Sequence, residues 1–274
     1  MTRISCFIAA LLLALPVTGF SQVQQAYTFK ADTPYKYLLE TKNNVIQDMM
    51  GQTNSMTTES TLGSTITLKE QKADGVMDLN LTIDNAILIM ESDQGMKTMG
   101  NSLAGKSFWF TMKGNGEVTD GDTTLRDYMK DGAQMVDQLL ELLPLLEREK
   151  LTAGSSWTYS KRDTMDRGGN SIIRSTETEY SIKGTKSLKN HTCLEITFEG
   201  EQTARGKGEQ GGQEFNISGE SKETGVILFD VEQGVLVEMS KEEKGDQTIS
   251  LTGGQSMKII ITANGTSKLE LVTE

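Results

Sequence analysis

The strongest constraint on the fold is a two-residue period between Met77 and Ile89. Apolar residues occupy alternate positions there, and most of the positions between them carry Asp, Asn or Thr. Successive side chains of a β-strand point to opposite faces, so this alternation predicts a strand with one buried face and one wet face. We therefore expect a mainly β protein built on an antiparallel sheet.

The same kind of pattern recurs along most of the chain. Turn signals at residues 51–54 and 73–75 separate the first three predicted strands. Two stretches look like connections instead: residues 91–106 as a loop or short lid, and the Gly-rich residues 205–213 as an extended hairpin loop. The other predicted strands cover residues 35–39 continuing towards 50, 57–69, 108–112, 157–159, 172–182, 193–198, 226–229, 235–237, 248–251, 258–261 and 269–272.

One segment has helical rather than strand periodicity. Apolar residues such as Val136 and Leu140 recur at helical spacing between residues 124 and 143, and Pro144 ends the pattern. About twenty residues of helix would be ~30 Å long. We expect one long amphipathic helix packed against the sheet, as a plug or as a lid.

The order of the predicted strands repeats on either side of this helix. Tyr35-Lys36-Tyr37 matches Trp157-Thr158-Tyr159, and further matches follow at a similar offset. We predict a signal peptide at 1–21, a first β half at 22–121, a connecting helix and hinge at 122–150, and a second β half at 151–274. Each half alone would leave an apolar sheet face uncovered, so 22–274 should form one structural domain.

The N-terminus has the layout of a secretory signal. Arg3 precedes an apolar run at residues 7–17 and small residues up to Ser21, and this run is shorter than the ~20 residues of a spanning helix. Cys6 lies before the run, which argues against a lipoprotein. We expect a soluble protein exported to the periplasm or the medium, with no transmembrane segment after cleavage.

The net charge of the chain limits the classes of partner that we expect. The formal net charge is −11, and loss of Arg3 with the signal makes it more negative. An acidic surface of this size argues against nucleic acid and anionic membranes as partners. Cys193 is the sole cysteine after the predicted cleavage, so an apolar core must hold the fold without a disulfide.

A short motif supports a family resemblance. Leu143-Pro144 followed by Gly154-Ser155-Ser156-Trp157, between two sets of strands, resembles an uncharacterised family of exported Gram-negative proteins. More distantly, the pattern is similar to the curved half-barrels of bacterial lipoprotein carriers. That resemblance implies a strongly curved antiparallel sheet, a half-barrel or barrel of two similar β-meander halves, around a helix-capped apolar cavity.

Candidate ligand-binding residues follow from this picture. Methionine side chains repack around varied ligands, so a Met-rich segment could line a pocket for a lipid or acyl chain, or could simply fill gaps under a loop. The remaining candidates lie in the strand at residues 108–112, in the predicted helix and at the hinge. The full set is Met90, Met96, Met99, Trp109, Leu125, Met129, Val136, Leu140 and Trp157.

The sequence offers little for catalysis. His191 and Cys193 would share one strand face, but known thiolate–imidazole pairs come from distant segments and add a third group, so we assign no catalytic residue. Structural zinc would need more Cys or His, and we expect no metal and no cofactor. The leading hypothesis is a non-enzymatic protein that binds an apolar ligand. Its alternatives are a structural or interaction module with a packed core and a carboxylate-based hydrolase.

Overall fold

The computed structural model describes residues 26–100, 102–122, 124, 134–167, 170–210, 213–252 and 257–272. They form twelve strands, one α-helix and a 3-10 turn at Arg148–Lys150. In the first half these are β1 (Tyr35–Met49), β2 (Gln52–Gln71), β3 (Met77–Ser92), β4 (Gly95–Gly100), β5 (Ser107–Met112), β6 (Val118–Gly121) and helix α1 (Gln134–Glu141). In the second half they are β7 (Ser156–Arg167), β8 (Asn170–Leu188), β9 (His191–Gln210), β10 (Gln213–Asp230), β11 (Val235–Thr252) and β12 (Met257–Leu271).

All twelve strands belong to one antiparallel sheet. Their order is β6-β5-β3-β2-β1-β12-β11-β10-β9-β8-β7, with β4 paired to the distal part of β3. The two halves meet where β1 pairs with β12, from Tyr37 opposite Leu271 to Met49 opposite Ile259. Within the described strands, β6 and β7 are not paired, so the sheet is open.

Two backbone hydrogen bonds reveal how strongly the sheet curls. The amide of Tyr27 donates to the carbonyl of Gly114 after β5 (2.9 Å), and the amide of Thr28 donates to that of Gly234 after β10 (2.8 Å). In a flat sheet these strands, six places apart, would be separated by about 29 Å. Adjacent Cα atoms are only about 3.8 Å apart, so the sheet curls around an inner face.

The core lies on the inner face at one end of the sheet, which we call the basal end. It includes the first residues of β1 and the last residues of β12, and the segments at 26–29 and 142–151 fill its centre. The hydroxyl of Tyr27 donates to the carbonyl of Pro144 (3.0 Å), which ties these two segments together. The sequence prediction of a single apolar core on one sheet face is consistent with this packing.

Beyond the core, the strands continue towards a distal end as a single layer. Along β12, half-buried residues alternate with exposed ones from Met257 to Thr266. Glycines relieve crowding on the inner face: a Cβ at Gly225 would lie 2.5 Å from two ring atoms of Phe198. Real Cβ atoms do not approach so closely, so the curvature requires Gly there.

The main expectation, a mainly β antiparallel sheet, is confirmed. Two predicted loops are wrong in part. Residues 95–100 form β4, because the end of β3 offers a free edge for pairing. Residues 205–210 and 213 belong to β9 and β10, which pair from Gln210 opposite Gln213 to Leu194 opposite Phe229. Gly206 and Gly208 therefore lie within a strand, at inner positions.

The predicted long helix is not supported. Helix α1 has eight residues, Gln134–Glu141, and residues 125–133 lie outside the described part of the chain. The helix also ends two residues before the predicted boundary. Leu142 and Leu143 leave it to enter the core, since the ring of Pro144 excludes the helical conformation for the residue before it.

The structure does not test three further predictions, namely the signal peptide, the internal repeat and the domain boundaries. The predicted signal peptide, residues 1–21, lies outside the described residues. The internal repeat and the domain boundaries stay predictions. None of the helices in the described part of the chain combines the length and apolar character needed to cross a membrane.

Candidate functional site

The inner face carries an open trough of about 500 Å³ beyond the core. Seven neighbouring strands line it, from β2 through β1, β12, β11, β10 and β9 to β8. We call this space the inner trough. Its inward-facing residues are Asn43, Val45, Thr58, Arg174, Gln202, Ala204, Gly219, Ser221, Glu243, Gly245, Gln247, Ile261, Ala263 and Gly265.

The floor of the trough is built from small residues. Ala204 stands opposite Gly219, and Gly245 stands opposite Ala263, each pair on adjacent strands. Small side chains leave the backbone of four strands accessible from the inside. A ligand can therefore lie close to the sheet.

A polar belt separates the floor from the core. The ammonium of Lys241 lies 3.3 Å from a carboxylate oxygen of Glu223 and 3.2 Å from one of Glu243. On the neighbouring strands, the hydroxyls of Thr41 and Ser60 share a hydrogen bond of 2.7 Å. The belt therefore places a charged cluster and a buried pair of hydroxyls at the basal end of the trough.

Glu141, at the end of α1, adds an unusual carboxyl to this belt. Loss of surrounding water raises its pKa most, Asp137 and Glu243 raise it further, and Arg174 and Lys241 partly offset the shift. The carboxyl is solvent-accessible, yet protein surrounds it on several sides. A raised pKa means that its contribution to folding is present below its unfolded pKa and is lost as pH rises.

The distal side of the trough is apolar. Ile217, Ile249 and Ile259 are direct cross-strand neighbours on β10, β11 and β12, and all three are half-buried. The next row outward contains Phe215, Leu251 and Met257 in the same register. The trough thus runs from a polar belt, over a small-residue floor, to an apolar distal side.

The structure does not bring the three predicted methionines together. Met90 and Met99 lie on the inner face, since Met90 pairs with Thr58 and Met99 pairs with the buried Leu88. Met96 lies on the outer face and is 69% exposed. The three side chains do not converge, because Met96 has the opposite strand parity.

The other predicted ligand residues are scattered. Trp109 is on the outer face, as its alternation with two Phe residues predicts. Val136 is buried in the core, Leu140 packs against it half-buried, and Trp157 stacks on Tyr180 with ring centroids 5.0 Å apart. Leu125 and Met129 lie outside the described residues.

His191 and Cys193 have other roles than nucleophilic chemistry. Nδ1 of His191 lies 2.8 Å from Oδ2 of Asp230, and both side chains are buried. Burial, and then the carboxylates of Asp230 and Glu238, raise the pKa of the Cys193 thiol to about 11. A nucleophilic cysteine needs a lowered pKa, so this environment disfavours a thiolate.

We expect Cys193 to resist thiol reagents at pH 8. With a pKa of about 11, roughly one thiol in a thousand is ionised at that pH, and the group is fully buried. Labelling by a disulfide reagent should be at least about a hundredfold slower in the native protein than in denaturant. Equal labelling rates in the native and the denatured protein would contradict the burial and the raised pKa of Cys193.

A larger groove, about 790 Å³, crosses the outer face opposite the polar belt. Among its lining residues, Lys42 lies 2.8 Å from Glu59, and Lys268 lies 3.3 Å from Glu238 and 2.9 Å from Glu270 beside the groove. A cross-strand ion pair such as Lys42–Glu59 is typical of a solvated sheet face. The inner trough is the better candidate because it joins small, apolar and polar rows.

Sequence reasoning missed the residues that form this trough. Their signal is glycine or alanine at alternate positions of long strands, as in Gly206, Gly208 and Ala204 of β9. No group of three or more His, Cys, Asp or Glu side chains suited to a metal occurs among the described residues.

Comparisons with known proteins assign neither a family nor a function. No protein-family model and no curated protein matches the chain. Among solved structures, OccK5 (OpdH) of Pseudomonas aeruginosa aligns over 90% of this chain and 100% of its own, at 8% identity and a TM-score of 0.26. The COG4313 outer membrane channel from Pseudomonas putida F1 aligns over 90% of this chain and 98% of its own, at 8% identity and a TM-score of 0.21. Scores this low do not establish a shared fold.

Proposed function

We propose that the protein binds an elongated apolar molecule, a lipid or an acyl chain, in the inner trough. The observation that carries the proposal is the order of rows on one concave face, from polar belt to small floor to apolar side. Ligand sites are concave, of about 300–1,000 Å³, and mostly apolar with a few polar groups. The trough volume of about 500 Å³ lies within that range.

The proposed site lies beyond the described helix and not beneath it. Met135, Val136 and Leu139 on α1 are each at most 2% exposed and pack into the core. The apolar side of α1 therefore acts as a plug at the basal end of the trough. An acyl chain would lie over Gly245 and Ala263, with its polar group at the belt around Lys241.

The predicted signal peptide indicates where in the cell such binding would take place. An exported protein with a lipid-sized trough would act in the cell envelope, where acyl chains are abundant. Binding without chemistry is the simplest activity for this face, because Glu223 and Glu243 are both held by Lys241. We propose no cofactor for it.

Blocking the floor tests the proposal. Ala263→Trp fills the trough from β12, whereas Thr262→Trp places the same ring on the outer face of the same strand. We expect the wild type and Thr262→Trp to bind a fluorescent fatty acid and to co-purify with a lipid detectable by native mass spectrometry. Ala263→Trp should weaken fatty-acid binding by about tenfold or more, since its ring occupies the ligand volume.

Two results would overturn the ligand-binding function. One is the absence of any fatty-acid binding and of any co-purified apolar molecule in the wild type. The other is equal binding by Ala263→Trp and Thr262→Trp when both variants fold, as judged by circular dichroism and thermal unfolding.

An interaction module is the second candidate. The edge strand β7 has twelve residues, and in the described part of the chain no second strand pairs with it on its free side. Unpaired strand edges can accept a strand from another protein. If the protein is an interaction module, substitutions in the inner trough should leave partner binding unchanged, whereas Pro substitutions along β7 should abolish it.

A further inference from the structure

Apolar side chains are concentrated at the distal end of the sheet, where the β1–β2 turn lies beside the start of β12. Met50 in the turn is 79% exposed, Ile46 is 45% exposed and Ile260 is 40% exposed. Met49 pairs with Ile259 across the two strands. We call the group Ile46, Met49, Met50, Met257, Ile259 and Ile260 the distal tip.

The distal tip has apolar side chains on both sides of the sheet. Ile46 and Ile260 point outward, whereas Met49 and Ile259 point into the inner face. A single-layer edge that exposes apolar groups on both sides and at its turn is convex. A protein partner would need a complementary cleft over about 800 Å² on each side, whereas a fluid bilayer can close around a narrow edge.

Charge also distinguishes the tip from the rest of the molecule. On the outer face near the distal ends of β1, β9, β10 and β12, three basic and three acidic residues balance in charge. They are Arg205, Lys207, Lys258, Asp48, Glu209 and Glu214. The whole chain carries a formal net charge of −11, whereas these six charges balance locally. The tip is therefore a surface that approaches a bilayer without strong repulsion.

We propose that the distal tip inserts into the interface of a zwitterionic lipid bilayer. Met50 and Ile260 enter the apolar boundary. Lys207 and Lys258, both exposed, extend their ammonium groups to the headgroups while their alkyl stems follow the apolar surface. The acidic remainder of the sheet stays in water.

This inference goes beyond the proposed ligand binding and does not depend on it. The apolar side of the inner trough continues into the tip, because Ile261 of the trough and Ile259 of the tip share the inner face of β12. The trough therefore opens towards the bilayer. A lipid could pass between them without crossing water.

Vesicle flotation tests the tip. We expect the wild type to float with vesicles of phosphatidylcholine and phosphatidylethanolamine, and Met50→Ser/Ile260→Ser to reduce the bound fraction by about tenfold, because two inserted apolar side chains are lost. Met96→Ser/Ile87→Ser is the matched control. It removes the same residue types at 69% and 41% exposure from the outer faces of β4 and β3.

The outcomes separate the possible explanations. Flotation lost in the tip variant and kept in the control supports insertion. No flotation of the wild type, or equal flotation of both variants, overturns it. If the tip instead joins two copies of the chain, the wild type sediments as a dimer without vesicle binding, which also overturns it. Ala263→Trp should still float, so failure of the ligand site is distinguishable from failure of the tip.

Discussion

Replacing Asp230 with Ala is expected to lower the free energy of unfolding by about 3 kcal/mol, the upper end of the range for leaving a buried hydrogen-bonding group without its partner. Asp230 is 3% exposed at the end of β10. Its Oδ2 pairs with Nδ1 of His191 at 2.8 Å, and Oδ1 accepts hydrogen bonds from the amides of Glu232 (3.0 Å) and Gln233 (2.9 Å). The carboxyl group thus satisfies three donors at once.

The structural effect of Asp230→Ala should extend beyond the Asp230 side chain. The turn that Asp230 stabilises also contains Gly234, whose carbonyl accepts the hydrogen bond from Thr28 in the N-terminal segment. Without the carboxylate, two turn amides and a buried imidazole lose their partner. We expect the turn to loosen and the N-terminal segment to lose its backbone hydrogen bond to Gly234.

Urea unfolding followed by circular dichroism measures this effect. Asp230→Asn is the informative companion because it keeps the shape and one acceptor oxygen, and its loss should be smaller. Glu232→Gln, at an exposed position of the same turn, should change the free energy of unfolding by less than about 0.5 kcal/mol. A loss below about 1 kcal/mol for Asp230→Ala would show that this network contributes little.

The strands were predictable because their signal is local. Alternation from Met77 to Ile83 needs only neighbouring residues, and the structure places these four apolar side chains in the core. The strand at Gly95–Gly100 had no such signal. Its glycines favour a turn, and only the free edge of β3, supplied by another segment, makes it a strand.

The candidate site could not be predicted in the same way. Its floor combines single small residues from four strands, such as Ala204 and Ala263, which lie 59 positions apart in the sequence. The Asp230–His191 pair spans 39 positions. No periodicity links such residues. The C-terminal end of the helix could not be predicted for a related reason: Leu142 and Leu143 continue the amphipathic pattern, but they leave the helix to enter the core.

Replacing Tyr27 with Ala should lower the free energy of unfolding by about 3–5 kcal/mol, as for other large-to-small changes of buried aromatics. The side chain is fully buried, and its ring packs edge-on against Phe229 with centroids 5.1 Å apart. It also fills the space beside Gly116, where a Cβ would lie 2.6 Å from the ring. Tyr27 therefore joins the turn after β5 to strand β10 across the curl of the sheet.

Tyr27→Phe separates the ring from its hydroxyl. It leaves the carbonyl of Pro144 without its donor and should lose about 1 kcal/mol, because the packing is retained. Thermal and urea unfolding of both variants give the comparison. If Tyr27→Ala were no less stable than Tyr27→Phe, the ring would not be holding the curl.

Alkaline pH gives an independent measure of the same hydroxyl. Burial, followed by the influence of Tyr37 and Tyr180, raises the pKa of Tyr27 well above its ordinary value of 10.0. A raised pKa keeps the folded phenol neutral while the unfolded one ionises, so stability is fully present below pH 10 and falls as pH rises above it. Tyr27→Phe should show a shallower fall between pH 10 and 11 than the wild type, and an identical slope would place the alkaline loss at other tyrosines. A shallower slope would mean that the buried phenol of Tyr27 accounts for part of the stability lost at alkaline pH.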